Sequence, residues 1–192
     1  MRIIFLDIDG VLNGYNLRIH LTFNFLKFIF PKRWRYYFNI FGVHIMKVFI
    51  LWIICKLTGA KIVMSSSWRF SYWKTSVNEM HNDIKKLYNL LKFFNINVID
   101  ITKEKSTTRG EQIQDWFTDN KKYKIESFII IDDEMFDISP YFPKNRLLST
   151  KANNNRLFKF KCCGCYDGAG IKFKHVIPAI KILKTPIENE KE

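Results

Sequence analysis

Asp7 and Asp9 stand two residues apart at the end of an apolar run, RIIFLDIDG, with Gly10 directly behind them. Asp132 and Asp133 close a second apolar run, FIIIDDE at residues 128–134. A buried parallel strand reads as nearly continuous apolar residues, and an acid at its carboxyl end falls in the crevice where open α/β sheets bind ligands. Two such strand ends bring four carboxylates together, and four unpaired anions in one crevice repel unless a cation joins them. Hard oxygen donors with no histidine or thiol among them favour Mg²⁺. The chemistry within reach is therefore that of a metal held by carboxylates.

The elements that must carry these residues alternate along the chain. KIVMS, residues 61–65, reads as a second strand with SSSWRF directly after it, and NINVIDI as a third. Helical spacing runs through Val77, Met80, Ile84, Leu87, Leu90 and Leu91, which predicts a helix over 76–94. RGEQIQDWF, 109–117, sets Ile113, Trp116 and Phe117 on one helical face. Residues 43–58 read as a strongly apolar helix stopped at Gly59. RLLS predicts an additional strand, and FKHVIPAIKILK a final helix, although Pro178 conflicts with a helix interior. Strands alternating with helices imply right-handed crossovers and a mainly parallel sheet. The expected fold is an α/β, Rossmann-like three-layer sandwich with the very apolar first strand at its centre.

The chain of 192 residues suits one domain, expected over 1–185, with 186–192 as a flexible tail. Residues 13–42, aromatic, basic and broken by Pro31, read as a small helical, cap-like insertion after the first strand. Lys and Arg total 31 against 18 Asp and Glu, a formal charge of +13. Not one acid occurs between Asp9 and Glu79, while Arg18, Lys27, Lys32, Arg33, Arg35, Lys47, Lys56, Lys61, Arg69 and Lys74 all do. Such a field steers phosphate-bearing partners, and non-specific nucleic-acid contact through residues 18–74 is one expectation. Richness in Lys, Asn, Ile and Phe also follows from AT-biased coding, so charge alone names no partner.

Cys162, Cys163 and Cys165 cluster in KCCGCYDG, but a structural zinc site needs a second ligand pair, so reduced thiols of a cytoplasmic protein are the simpler reading. The N-terminus itself reads as a site-bearing strand rather than a signal peptide. VFILWIIC, 48–55, falls well short of the roughly 20 apolar residues a membrane span needs, which predicts a buried helix.

In order and spacing, DIDGV, a strand ending in Ser, a cation ahead of a helix and a strand ending in DD resemble the four motifs of haloacid dehalogenase (HAD) superfamily phosphohydrolases. SSSWR, RGEQIQDWF and IIIDDEMFD are similar to small HAD domains of the RNA-repair phosphatase type. The resemblance covers residues 2–14, 57–70 and 109–137, with a fainter echo at GIKFKHVIPAIKIL. It implies that Asp7 attacks phosphorus to form an aspartyl phosphate, and that Asp9 protonates the leaving oxygen and then activates water. It implies a Mg²⁺ ion held by Asp7, Asp133 and the Asp9 backbone carbonyl, with Asp132 and Asp137 orienting metal waters or the third-motif cation. Ser65 is the expected phosphate ligand, with Ser66 and Ser67 as competitors and the Gly10 turn beside them. Ser67 also suits a helix cap. Arg109 matches the third-motif cation best, and Lys105 and Lys103 are its rivals.

The expected activity is Mg²⁺-dependent phosphomonoester hydrolysis on a nucleotide, a nucleic-acid end or a small phosphorylated metabolite. Two alternatives remain beside it. One is phosphoryl transfer to an acceptor other than water, which shares the aspartyl phosphate. The other is a catalytically idle HAD-like module that binds phospho-ligands or nucleic acid, although such a binder has no use for a nucleophile beside an acid.

Overall fold

The computed structural model describes residues 1–13, 42–74, 76, 79–151 and 170–187. Apart from Asn13 and Gly42, the expected insertion lies outside the described residues, as do the 162–165 cysteines and residues 188–192. Five strands form one parallel sheet: β1 (Arg2–Leu6), β2 (Lys61–Met64), β3 (Val98–Ile101), β4 (Ser127–Asp132) and β5 (Leu147–Ser149), in the order β3-β2-β1-β4-β5. The apolar first strand is central, as its composition demands. The chain adds β2 and β3 on one side of β1 and then crosses to add β4 and β5 on the other. That reversal opens a crevice at the carboxyl ends of β1 and β4.

Successive side chains point to opposite faces, and the two faces have separate cores. Ile4, Leu6, Ile62, Met64, Ile129 and Ile131 pack under helices α1 (Ile45–Thr58), α3 (Asn82–Phe93) and α5 (Val176–Lys184). Ile3, Phe5, Val63, Phe128 and Ile130 pack under α4 (Arg109–Asp119) through Ile113 and Trp116. Helices on both faces make the three layers. VFILWIIC lies inside α1 with Val48, Ile50, Leu51 and Ile54 buried, and α1 ends where Gly59 takes φ +68° and donates its N–H to Cys55 O. No helix among the described residues is long and apolar enough to cross a membrane.

Two boundaries differ from expectation, and one expected conflict is absent. The helix predicted over 76–94 starts at Asn82, because Glu79 and Met80 close a turn onto Ser76 O and a separate short helix, α2 (Arg69–Lys74), precedes it. Pro178 is harmless because it lies in the first turn of α5, where a missing N–H leaves no hydrogen bond unmade. The expected tail is anchored at its start: Ile187 N donates to Glu126 O, and Pro186 O accepts from Arg146 Nη2 at 3.1 Å.

Candidate active site

The parallel ladder continues past the strand ends and holds their tips in step. Asp7 N donates to Ile131 O at 3.0 Å, Ser65 N to Leu6 O at 2.9 Å and Thr150 N to Asp132 O at 2.9 Å. Leu6 pairs with Ile131 in the register, so the next residues, Asp7 and Asp132, emerge side by side. Each lies an even step from the α4-facing residues of its strand, Asp7 from Phe5 and Asp132 from Ile130, and both point toward that helix. Behind Asp7 the chain turns back, with the N–H groups of Val11 and Leu12 on Ile8 O. Gly10 sits in that turn at φ +64°, where a Cβ would overlap the Asp133 carboxyl group. Glycine is thus required both for the backbone angle and for the approach of Asp133.

Asp7, Asp132 and Asp133 are all buried, and each offers a carboxylate oxygen within 4.8 Å of the others. Arg109 Nη1 lies 3.2 Å from Asp7 Oδ1 and also bonds Asp132 Oδ2. Burial, then the Asp132 charge, pushes Asp7 up to about 7, while Arg109 and a Ser66 hydroxyl bond pull it back. Burial also raises Asp132 against the pull of Arg109, and raises Asp133 to about 6 with help from Asp132 and Glu134. For Arg109, burial works against the charge, but Asp7 and Asp132 outweigh it and hold the pKa above its ordinary value. One guanidinium cannot neutralise three carboxylates, and an all-oxygen donor set this close fits a small hard dication. The donor chemistry therefore matches the Mg²⁺ expected from the sequence.

Arg109 reaches this position because α4 begins beside the crevice. Thr108 caps the helix by accepting from Glu111 N at 3.2 Å, the Glu111 carboxylate reaches back to Thr108 N, and Asp137 Oδ2 takes Arg109 N at 3.1 Å. Lys103 and Lys105 are not brought to the carboxylates. Both pair with Asp119 near the far end of α4, Lys105 at 2.7 Å, on the exposed surface. Their long side chains follow the nearest helix carboxylate, whereas Arg109 is delivered by its backbone.

Asp9 stays out of the three-carboxylate group. Its Oδ2 accepts from Trp68 Nε1 at 2.9 Å and its Oδ1 from Asn13 Nδ2. Of the serines, Ser66 is the one whose hydroxyl acts on Asp7, drawing its pKa down, while Ser65 Oγ is fully buried at the β2 tip with no hydrogen-bond partner. Ser67 is exposed, and the Trp68 N–H goes to Ser66 Oγ at 3.4 Å rather than to Ser67. Buried Arg69 then locks the segment, donating to Ser65 O and Ser66 O through Nη1 and to Gln112 Oε1 at 3.0 Å through Nη2. Trp68, Arg69, Asn13 and Gln112 were not expected in the site, and the contiguous SSSWR was the signal pointing to the first two. The acid-free interval contributes less than its count implies: Lys47 and Arg69 are buried, and Lys61 opens β2 at the opposite end of the sheet. Arg18, Lys27, Lys32, Arg33 and Arg35 lie outside the described residues.

A parallel sheet that gathers acids and a cation at its carboxyl edge defines an α/β domain of HAD type. Residues 3–154 match the family described as HAD domain in Swiss Army Knife RNA repair proteins, and the chain belongs to that family. Among curated proteins and solved structures, none matches the chain. Membership places it in a superfamily of phosphatase-type chemistry.

Proposed function

We propose that this chain is a Mg²⁺-dependent phosphomonoesterase whose substrate is a phosphorylated nucleic-acid end. The observation that carries the reading is the convergence of Asp7, Asp132 and Asp133 within 4.8 Å, with Arg109 across two of them. Asp7, Asp132 and Asp133 would hold the magnesium, which supplies positive charge against the phosphate dianion and the developing transition state.

The chain's own residues account for the rest. Asp7 is the one of the three that both the Arg109 guanidinium, 3.2 Å from Oδ1, and the Ser66 hydroxyl hold toward its charged form, so its carboxylate is oriented for attack. Attack forms the Asp7 O–P bond while the P–O bond to the leaving group breaks. Asp9 gives its proton to that departing oxygen, then takes a proton from the water that cleaves the aspartyl phosphate and restores Asp7. The Ser65 and Ser66 hydroxyls, with the backbone N–H groups of Ser66 and Ser67 that follow the β2 tip, are the groups offered to the phosphoryl oxygens. The net charge of +13 and a family described by RNA repair favour a nucleic-acid end over a small metabolite.

The test compares a 3′-phosphorylated oligonucleotide, free nucleotides and sugar phosphates, with Mg²⁺ and with chelator, for wild type and Asp7→Asn. Expected is oligonucleotide turnover that requires Mg²⁺ and vanishes in Asp7→Asn. Turnover of the metabolites alone removes the nucleic-acid assignment. Phospho-ligand binding with no turnover in wild type makes the domain an idle binding module.

A further inference from the structure

Asp9 is held differently from every other acid in the crevice. Both of its carboxylate oxygens are engaged, and each by a neutral donor: the Trp68 indole on Oδ2 at 2.9 Å and the Asn13 amide on Oδ1. The two donors are not equivalent. Asn13 also accepts Gly10 N at 2.8 Å within the turn that follows β1, so it belongs to the same short segment as Asp9. Trp68 comes from 59 residues away and is set rigidly. Its ring packs on the main core, its backbone N–H donates to Ser66 Oγ, and the next residue, Arg69, is buried and tied to the β2 tip and to α4. An indole N–H can donate but never accept, so it orients a carboxyl group without competing for the proton that group must carry.

The geometry points to Trp68 as the positioning residue for the general acid. Its indole holds Oδ2 of Asp9 in place, and Oδ1 exchanges Asn13 for the leaving group's oxygen. The proton on Oδ1 passes to that oxygen as the P–O bond breaks, and the carboxylate left behind remains bound to the indole. This inference rests on the hydrolase reading above and adds to it a residue that touches no reacting atom.

The experiment exploits leaving-group chemistry. Dinitrophenolate departs without a proton, whereas an alkoxide such as a ribose oxygen needs one, so only the second ester depends on a well-placed acid. Wild type, Trp68→Phe, Asp9→Asn and the double variant are assayed on dinitrophenyl phosphate and on a 3′-phosphorylated oligonucleotide. Expected for Trp68→Phe is a fall in kcat/KM, which ends at formation of the aspartyl phosphate, of about tenfold or more on the oligonucleotide, with kcat/KM on dinitrophenyl phosphate nearly unchanged. In the Asp9→Asn background the same substitution is expected to add no further loss. An equal fall in kcat/KM for both esters, or a full additional loss without Asp9, overturns the proposal and leaves the hydrolase reading intact. Failure of wild type to hydrolyse either ester removes both. Should Trp68→Phe not fold, benzothienylalanine at position 68 keeps the bicyclic shape, replaces the N–H by sulfur and gives the same comparison.

Discussion

Two arginines, half-buried Arg109 and buried Arg146, show what the two ends of the sheet are for. Arg109 stands at the carboxyl end with its guanidinium on Asp7 and Asp132. Arg146 lies before β5, almost fully buried, and gives its hydrogens to Ser127 Oγ, Ile182 O, Thr185 O and Pro186 O. Neutral carbonyls and a hydroxyl take up its hydrogen bonds without themselves being reactive, which suits a latch between β4 and the end of α5. Carboxylates compensate the charge and are themselves reactive, which suits a site. The same side chain is structural or functional according to whether its partners can do chemistry.

Substituting each arginine is the sharpest way to break this comparison. Arg109→Met is expected to lower kcat of phosphomonoester hydrolysis by about 10²–10³-fold, the scale for losing one preorganised charge stabiliser. Its urea midpoint is expected to shift far less than that of the Arg146 variant. Arg146→Met is expected to do the reverse, costing about 3 kcal/mol because several buried acceptors lose their donor at once. Turnover per folded molecule should stay at the wild-type level. If Arg146→Met slows turnover as strongly as Arg109→Met, the division between latch and site is wrong.

Lys47 supplies a third and smaller contrast, a buried cation whose charge the fold can shed. Burial lowers it from 10.5 to about 7, and burial lowers Lys86 to about 8. Between pH 7 and 9 the unfolded chain holds more protons than the folded one, so stability rises with pH through that window. The rise is expected to be about 3 kcal/mol in urea titrations and to shrink by more than half in Lys47→Met. Above pH 9 the trend reverses for Cys55, whose thiol is pushed up to about 12 by burial and so loses its proton first in the unfolded chain. A flat profile between pH 7 and 9 would show that Lys47 keeps its charge in the folded state.

Much of this was legible in the chain itself, and for local reasons. Apolar runs ending in acids announce buried strands, so β1, β4 and their carboxylates could be placed before any contact was known. The alternation of strands and helices was enough for a parallel sheet with β1 inside it, and Gly59 marked the end of α1 by its freedom to adopt a positive φ. Less legible were choices among near neighbours. Ser65, Ser66 and Ser67 are identical in type, and only the register of β2 against β1 turns the hydroxyl of Ser66 to Asp7. Arg109, Lys103 and Lys105 all precede or open one helix, and only the capped start of α4 decides which cation faces the crevice.

Residue type and spacing by themselves determined the strand-end acids, the donor chemistry that suits magnesium and the α/β class, because each follows from hydrophobic pattern and ligand hardness over a few consecutive residues. Tertiary structure alone decided that Asp9 answers to Trp68 rather than to the other carboxylates, and that Arg146 is a latch. Those pairings join residues dozens of positions apart, and no local pattern encodes which tips the parallel ladder will set side by side.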